Sequence, residues 1–598
     1  MAGDIIKGSD HFFINKYVGN GGGQKTGRFV PFTDNATIAK SCMFDDDTNN
    51  FLSRTPSSNG SGTTLTLSVW VKRNILGYRD ILYNGNIVSN SEHVYFDSSD
   101  RLHYYEVTSG SRKWNIITNM TFEDTSKWYH IHVVRDTTDS TAGDRIRFYV
   151  DGTRITSFNT ATYPTLNQTG YWNQTTYQHS VGSSGSASYI RGIGYLAEMN
   201  MIDGTVYEPS TFGMTDTSTG RWIPKSFSSL SYGTNGFRFE FANSAGQTIG
   251  DDTSGNGNDF SVTNLDPHNI GNDTPTSNYA KMSVNYHAGA TNNVREGGRR
   301  MQPASGSDDG TFFDIKLKTG KWYVEFYAHS ADAVAQYIYN GISDFEKYVT
   351  DGVQELGRRT HSYAFDPANG RYFAEGSGVV TGLSPKITQG DIGGIAVDFD
   401  NNKIFFSING TYINSANPAN GTGGLAFAPA HDTLSGYYML GQSNGTGSSG
   451  YNNDVSWNVG DNPTFNGTLA VGAAANTDGF GSTFKYTPPD GFKGLSFDNQ
   501  PDEGVKPDLV WIKNRDATDS HQWYDSSRGP LLDLQTDSTN TESTTVDGLQ
   551  RFIKGGCQIE DDVSINTKGE KYVAWNWVAN GGTETANADG SGASLAST

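Results

Sequence analysis

The 598-residue sequence has almost no cysteine, no long apolar run and few charged residues. Its two cysteines, Cys42 and Cys557, lie in different segments, which excludes a disulfide framework and favours buried, reduced thiols. No run of about eighteen apolar residues occurs, and residues 1–30 have no apolar core of signal-peptide length. We therefore expect a chain that does not insert into a membrane, is made in a cytoplasm and leaves it by lysis or within a particle.

Basic residues are also scarce. Lysine and arginine total 44 against 64 acidic residues, which gives a formal charge of −20. Binding to nucleic acid or to an anionic membrane requires a surplus of basic side chains on some face, and no dense basic run exists. The balance argues against both partners and favours a soluble, exposed protein.

Glycine and aromatic residues are abundant instead. The chain contains 71 glycines and 12% aromatic residues, a composition that suits short strands joined by many turns. Stretches with helical periodicity are almost absent, and the length predicts roughly three to five domains. We therefore predict an all-β protein with several separate cores.

The clearest pattern lies in residues 127–158. Trp128, His130, His132 and Val134 alternate with Tyr129, Ile131, Val133 and Arg135, the two-residue period of a strand. Ile146, Phe148 and Val150 alternate again and stop at Asp151-Gly152, a strong hairpin signal because glycine accepts a positive φ. This region predicts a layer of antiparallel strands with one buried face.

Four phrases also carry a resemblance: residues 67–73 (LSVWVKR), 128–134 (WYHIHVV), 144–152 (DRIRFYVDG) and 194–204 (GYLAEMNMIDG), the last followed by residues 209–213 (PSTFG). Their order resembles the laminin-G or concanavalin A-like jelly roll found in virion proteins of marine bacteriophages, above all cyanophages. The resemblance implies a β-sandwich over residues 38–264. It implies a fold and a setting but no reaction.

A second resemblance covers residues 311–490. Residues 320–326 (GKWYVEF), 391–400 (DIGGIAVDFD) and 403–410 (KIFFSING) stand in the order of a SPRY domain, which is a binding module. Ile395, Val397 and Phe399 alternate inward, Asn401-Asn402 turns the chain, and Ile404, Phe406 and Ile408 return it. Asp398 and Asp400 flank this turn and are expected to be solvated or to form it.

The remaining segments complete the predicted domain order. Residues 1–37 form an N-terminal arm for virion attachment, residues 265–310 a polar connector, residues 491–580 a small β module and residues 581–598 a flexible tail. Residues 506–515, 521–529 and 572–578 of the small module resemble one that follows SPRY domains in phage proteins. In the arm, residues 19–26 lack the glycine, strand and helix of a phosphate loop, so we expect no nucleotide site.

Several polar groups suggest chemistry, but each has a structural alternative that we favour. His130 and His132 have a metal-binding spacing without a third ligand. Glu198 and Asp203 lie five residues apart, which places them on opposite faces of a regular strand and opposes a paired-carboxylate mechanism. His521, Asp525 and Ser526 lack a nucleophile elbow. We therefore expect no enzyme activity.

One polar loop offers a calcium hypothesis. Asp252, Ser254 and Asn256 have the alternate spacing of the first half of a calcium loop, and Asn258 and Asp259 add further oxygens. Thr263 stands where a bidentate glutamate is expected, so the alternative is a turn that its own Asx side chains hold together. Calcium is thus the one cofactor that the sequence offers.

The candidate ligand-binding residues are Tyr171, Trp172 and Tyr177, which lie among amide side chains in residues 163–177. Aromatic faces stack on sugar rings and amides bond to hydroxyls, so the composition suits a glycan. The alternative is that Trp172 covers the end of the sandwich.

Taken with the resemblance, the sequence indicates a bacteriophage virion protein, a tail fibre or tail appendage that binds a host-surface polysaccharide or protein. The resemblance implies other tail proteins as partners and a homotrimer, although no heptad repeat appears. A capsid or neck appendage and a jelly-roll glycan depolymerase are the alternatives.

Overall fold

The computed structural model describes residues 36–45, 49–86, 89–183, 192–216, 219–227, 230–241, 248–288, 294–301, 310–329, 338–352, 355–367, 370–444, 454–469, 476–499, 506–553, 555–560, 562–567, 570–578, 585–586 and 595–596. The predicted all-β class is confirmed. Two short α-helices occur in these ranges, α1 at Phe345–Thr350 and α2 at Val563–Asn566. Neither has the length and apolar character needed to cross a membrane.

Short 3₁₀ segments interrupt the strands at several turns. They lie at Ala142–Asp144, Pro209–Thr211, Pro267–Asn269, Glu296–Gly298, Ile413–Ser415, Pro418–Asn420, Ala430–Asp432 and Phe497–Asn499. The described residues group into two compact units. The larger comprises those of Lys25–Gly213 and Pro224–Pro501, and the smaller comprises those of Met214–Ile223 and Asp502–Thr598.

Eighteen strands lie among the described residues up to Gly271. They are β1 Ser41–Phe44, β2 Phe51–Arg54, β3 Thr64–Lys72, β4 Arg79–Asn86, β5 Asn90–Phe96, β6 Arg101–Thr108, β7 Ser111–Thr121, β8 Trp128–Asp136, β9 Ile146–Val150, β10 Thr153–Arg154, β11 Phe158–Thr162, β12 His179–Val181, β13 Gly194–Asp203, β14 Gly213–Thr215, β15 Trp222–Pro224, β16 Phe237–Phe239, β17 Ser261–Thr263 and β18 Ile270–Gly271.

Two eight-stranded antiparallel sheets form the first sandwich. One has the order β10-β9-β8-β3-β13-β1-β18 with β16 added to β13, and the other has the order β11-β7-β6-β5-β4-β12-β2-β17. The alternation read from residues 128–134 is confirmed, since Tyr129, Ile131 and Val133 enter the core while the two histidines take the other face. Asp151 and Gly152 have φ of 49° and 75°, as the predicted hairpin turn requires.

The second sandwich follows with another set of strands. They are β19 Met282–Ala288, β20 Val294–Arg295, β21 Arg300–Met301, β22 Gly310–Phe313, β23 Lys321–Ala328, β24 Ile338–Ser343, β25 Ser362–Asp366, β26 Arg371–Ala374, β27 Ser377–Val380, β28 Ile392–Asp398, β29 Lys403–Ile408, β30 Thr411–Tyr412, β31 Leu425–Ala426, β32 Met439–Asn444, β33 Val455–Asn458, β34 Asn476–Thr477 and β35 Thr483–Phe484.

All of these strands except β34 and β35, which pair with each other, build two facing antiparallel sheets. Their orders are β19-β22-β32-β24-β25-β26-β27 and β20-β21-β33-β23-β28-β29-β30, with β31 paired to β29. The β28–β29 hairpin is confirmed, because Val397 lies opposite Ile404 and both are buried. Asp398 forms the turn, where its carboxylate accepts the backbone N–H groups of Asp400 and Asn401.

Residues 265–310, expected to form a polar connector, contain strands of both sandwiches. β18 pairs with β1 of the first sandwich, whereas β19 pairs with β22 and β21 pairs with β33 of the second. The composition was misleading because the polar residues here are buried and bond to one another. Asp273, Lys281 and Arg299 are each at most 2% exposed.

The C-terminal part of the smaller unit contains another set of strands. They are β36 Leu509–Asn514, β37 Gln522–Asp525, β38 Leu532–Gln535, β39 Ser543–Thr544, β40 Leu549–Ile553, β41 Gly556–Ile559, β42 Tyr572–Trp577, β43 Thr585–Ala586 and β44 Leu595–Ala596. Five of them form one sheet in the order β39-β38-β37-β36-β42, whereas β40 pairs with β41 and β43 pairs with β44. Val510, Ile512 and Tyr524 of the five-stranded sheet pack with Leu549 and Ile565 to form the core of the module.

Two predicted segments lie largely outside the described residues. Of the N-terminal arm, residues 1–37, only 36 and 37 are described, so the arm and its phosphate-loop-like stretch stay predictions. Of the tail, residues 581–598, only the two short paired strands are described.

Candidate functional site

The candidate site lies where the loop between β11 and β12 meets the start of β5 and the end of β6. The loop backbone is fixed from inside the sandwich by the Glu92 carboxylate, whose Oε2 accepts the N–H groups of Tyr171 at 2.6 Å and Trp172 at 2.9 Å. Glu92 is held in turn by an ion pair with Arg135, and both side chains are fully buried. A buried charge is stable only when it is paired and bonded, so this arrangement fixes the loop position.

Trp172 turns into the core. Its side chain is 1% exposed, and its ring meets the His179 ring edge-on at 4.4 Å. The indole therefore closes the end of the sandwich, which was the alternative interpretation of this residue. Because no face of the ring reaches solvent, we remove Trp172 from the set of candidate ligand contacts.

Tyr171 and Tyr177 come together on the surface as half-buried rings. Their centroids lie 5.3 Å apart with the planes nearly perpendicular. Asn90 connects them, since its Oδ1 accepts from the Tyr171 hydroxyl at 3.1 Å and its Nδ2 donates to the Tyr177 oxygen at 3.0 Å. The Asn90 Oδ1 also accepts the N–H of Ser109 at 2.8 Å, which ties the cluster to the β6–β7 turn. We call Asn90, Thr108, Tyr171 and Tyr177 the tyrosine cluster.

The floor of the tyrosine cluster is uncharged at neutral pH. The Tyr171 hydroxyl donates to Thr108 at 3.3 Å, and the Thr108 hydroxyl donates to Glu106 Oε1 at 2.6 Å. Burial raises the pKa of Glu106 to about 8, and the nearby Glu92 charge adds to this shift. The cluster thus presents aromatic edges, an amide and a hydroxyl without a charged group in direct contact, a set that suits neutral hydroxyl-rich ligands.

Sequence reasoning found Tyr171 and Tyr177 but missed their partners. Asn90 and Thr108 precede Tyr171 by more than sixty residues and stand in no motif, so only the pairing of β5 with β6 brings them together. Glu92 and Arg135 gave no signal because they lie in different strands and in no motif, and only the fold brings them together.

The calcium loop residues also come together, but their oxygens face the protein. Asp252 accepts the backbone N–H groups of Arg238, Ser254 and Asn258 and the Ser254 hydroxyl, all within 2.9 Å. Asp259 Oδ1 accepts the N–H of Asp252. Asn256 and Asn258 both donate through Nδ2 to the carbonyl of Gly236.

This geometry is that of the self-bonded Asx turn, and it does not fit a calcium ion. A cation needs carboxylate lone pairs that converge on one point, whereas those of Asp252 are engaged by four donors. Within the described parts of the chain no group of three or more His, Cys, Asp or Glu side chains is placed to hold a metal.

The other polar candidates have separate structural roles. His130 contacts the Ser68 hydroxyl at 2.9 Å and His132 the Tyr207 carbonyl at 3.0 Å. Burial lowers the pKa of His130 to about 4 and that of His132 to about 3, so both rings are neutral. Glu198 binds Arg238 at 2.7 Å, whereas Asp203 accepts the N–H of Ser61 at 2.7 Å.

The residues of the imagined triad are likewise apart. His521 packs on Trp511, Asp525 pairs with Arg528, and the Ser526 hydroxyl donates to Asp508. None of these three contacts joins the Ser526 hydroxyl to the His521 ring.

A second aromatic cluster covers the outer face of the sheet that contains β5 and β6. His93 stacks on Tyr95 at 4.2 Å, and its Nε2 lies 2.6 Å from Asp80. Tyr105 meets the His93 ring edge-on, and His103 packs against Tyr105. These four rings are 3–7% exposed, so the cluster is packed and offers less open surface than the tyrosine cluster.

Two domain families match parts of the chain. Residues 46–203 match the concanavalin A-like lectin/glucanases superfamily, and residues 490–598 match a domain of unknown function, DUF7483. No curated protein matches the chain. The first match agrees with the β-sandwich that contains the tyrosine cluster.

Several solved structures match parts of the chain at low identity and low TM-score. The SPRY domain of human HERC1 is 15% identical, with a TM-score of 0.22, and covers 29% of this chain and 96% of that chain. A Bacteroides ovatus protein whose name proposes carbohydrate binding is 14% identical, with a TM-score of 0.26, and covers 38% of this chain and 59% of that one. A heptameric SAP-like pentraxin from Limulus polyphemus is 16% identical, with a TM-score of 0.21, and covers 29% of this chain and 80% of that chain.

Proposed function

We propose, starting from a concanavalin A-like lectin fold over residues 46–203, that this chain is a non-catalytic adhesion protein that binds neutral glycans. The setting that we propose is a bacteriophage virion, in which the chain serves as a tail fibre or tail appendage and contacts the host surface. The acidic composition suits a protein that stays soluble at high copy number.

The observation that carries the proposal is the tyrosine cluster. Tyr171 and Tyr177 are half-buried and fixed by Asn90, so little side-chain entropy is lost when a sugar ring stacks on them. The Glu92 carboxylate accepts a backbone N–H of the same loop and so holds its position. A preorganised surface of this size binds weakly, and a millimolar site corresponds to about −4 kcal/mol. Several copies on one particle raise the overall affinity by orders of magnitude.

The test uses the full chain with Tyr177→Ala and with Tyr171→Phe. Binding to host-surface polysaccharide is measured by surface plasmon resonance on immobilised glycan. Tyr177→Ala removes a ring and is expected to weaken binding about tenfold, whereas Tyr171→Phe removes only the hydroxyl held by Asn90 and is expected to weaken it less. Leu166→Ala, in the same loop and 53% exposed, is the control that leaves binding unchanged.

Two results would contradict the proposal. Equal binding by Tyr177→Ala and the parent chain would place the glycan site elsewhere. Release of reducing ends from the polysaccharide by the parent chain would instead make it a depolymerase, and that assay is run on the same samples.

The virion setting and the homotrimer have their own test. We propose that residues 1–37 dock the chain onto other tail proteins, because His11, Phe12, Phe13 and Ile14 form an apolar group beside glycines. A chain without these residues is expected to fold and bind glycan but to be missing from purified particles. Gold-labelled antibody then separates a tail position from a capsid or neck position, and light scattering measures whether the chain is trimeric.

A further inference from the structure

The five-stranded sheet of the smaller unit has one covered face and one partly exposed face. Val510, Ile512 and Tyr524 alternate into the module core. The side chains between them point to the opposite side, where those of β36, β37 and β42 are partly exposed. This second face, called the tryptophan face, contains Leu509, Trp511, Lys513, His521, Trp523, Asp525, Val573, Trp575 and Trp577.

Tryptophans form a row across the centre of this face. The pairing registers place Trp511 opposite Trp575 on one side and opposite Trp523 on the other. The Trp511 ring centroid lies 4.9 Å from that of Trp575 and 6.4 Å from that of Trp523, and the His521 ring lies 5.8 Å away. Trp577, 42% exposed, extends the face along β42. Four of the eleven tryptophans of the chain thus lie on one face of one small sheet.

The charged groups on the tryptophan face are bonded within the module. Lys513 Nζ donates to the carbonyls of Ala517 and Asp519 at 3.0 and 2.9 Å. Asp525 pairs with Arg528 at 2.6 Å, and Arg528 also reaches Glu542 at 3.1 Å. The face therefore combines aromatic surface with compensated charges and offers no free cation to an anionic polymer.

Charge also favours one occupant for this face. An anionic polymer finds no unpaired cation there, whereas a neutral polysaccharide needs none. The pyranose C–H faces of such a polysaccharide supply the apolar area that indole rings cover well.

We infer that the tryptophan face is a second glycan-binding surface, which takes a neutral, hydroxyl-rich polysaccharide by stacking on Trp511, Trp575 and Trp577. It assigns a ligand class to a module whose family is described only as a domain of unknown function. The inference does not depend on the tyrosine cluster, because the two surfaces belong to separate domains. A chain with two such surfaces binds one polysaccharide at two points, which raises avidity without a deep pocket.

The test is affinity electrophoresis of the full chain in gels that contain hydroxyethylcellulose, galactomannan or alginate. The variants are made in a Tyr171→Phe/Tyr177→Ala background, so that binding by the tyrosine cluster does not contribute. Trp575→Ala and Trp577→Ala are expected to weaken binding to one of the two neutral polymers about tenfold, and Trp575→Phe less. Val563→Ala, 68% exposed on α2, is the matched control that leaves binding unchanged.

Folding and assembly are measured on the same samples by thermal melting and light scattering. If Trp575→Ala unfolds the module, Trp577→Ala carries the test because Trp577 is 42% exposed and its truncation removes less packing. Three results would overturn the inference: no retardation of the background protein by either neutral polymer, equal retardation of Trp577→Ala and the background protein, or stronger retardation by alginate. A fall in molecular mass in Trp577→Ala with unchanged retardation would also overturn it, and would make the face an interface between copies.

Discussion

At the residue scale, Tyr171 and Trp172 show how neighbours in sequence acquire different roles. Both donate a backbone N–H to the same Glu92 oxygen. Their side chains point in opposite directions. The Trp172 ring packs in the core, and the Tyr171 ring lies at the surface. Composition alone could not separate them, because both are aromatic and both stand among amides.

The buried position of Trp172 makes its truncation a stability experiment. Trp172→Ala is expected to destabilise the first sandwich by about 3–5 kcal/mol, because it removes a large side chain that packs against His179. Chemical denaturation measures this loss. A change below about 1 kcal/mol would contradict the burial of the Trp172 side chain.

Glu106 gives a prediction about pH. Its pKa in the folded chain, about 8, exceeds its ordinary value of 4.5, so the stability linked to its proton is complete at low pH and lost as the pH rises through 8. Glu106→Gln keeps a neutral side chain at every pH. The free energy of unfolding of this variant, relative to that of the parent, is therefore expected to rise by on the order of 2 kcal/mol from pH 5 to pH 9. Thermal melting at each pH measures this difference.

The control for this series is Leu434→Ala, which changes an exposed apolar side chain and no titratable group. Its melting temperature relative to the parent should not change with pH. A pH-independent difference for Glu106→Gln would mean that Glu106 is ionised in the fold.

At the element scale, the loop of residues 251–259 and strand β13 show how local patterns mislead. The loop has the oxygen-rich spacing of a cation site, yet its amide hydrogens satisfy those oxygens. In β13 the register shifts between Ala197 and Asn200, and Glu198 has a φ of 43°. This bulge breaks the regular two-residue period on which the sequence argument about Glu198 and Asp203 relied.

The self-bonded loop predicts indifference to chelation. Adding EDTA or calcium is expected to change the melting temperature by less than about 1 °C, because a ligand stabilises only a fold that it binds. Asp252→Ala, in contrast, is expected to cost about 1–3 kcal/mol, since it leaves four donors without their acceptor. A stabilisation by calcium that Asp252→Ala abolishes would restore the metal hypothesis.

At the scale of the larger unit, a buried ionic network joins the two sandwiches. Asp273 pairs with Lys72 at 3.0 Å and with Lys281 at 3.4 Å, and Asp461 pairs with Lys281 and with Arg299. The two cations hold the pKa of Asp461 below its usual range despite burial. The segment of residues 265–310, expected to be a polar connector, therefore supplies Asp273, Lys281 and Arg299 to the junction.

This junction predicts the result of limited proteolysis. Trypsin is expected to cleave slowly within the described residues between Ile270 and Met301, because the paired strands and the buried Arg299 resist the protease. Asp461→Asn leaves Lys281 and Arg299 without their shared carboxylate and is expected to destabilise the unit by about 3–5 kcal/mol. Rapid cleavage in the parent chain, with two stable fragments, would support the connector interpretation instead.

The sequence by itself determined the all-β class, the hairpins at Asp151-Gly152 and Asn401-Asn402, and the glycan-suited composition of residues 163–177, because two-residue periodicity and turn chemistry are local properties. Only the tertiary structure decided which polar residues are buried together. The partners of Tyr171, Asp273 and Trp511 lie in other strands, and their roles follow from strand pairing, which no local pattern encodes.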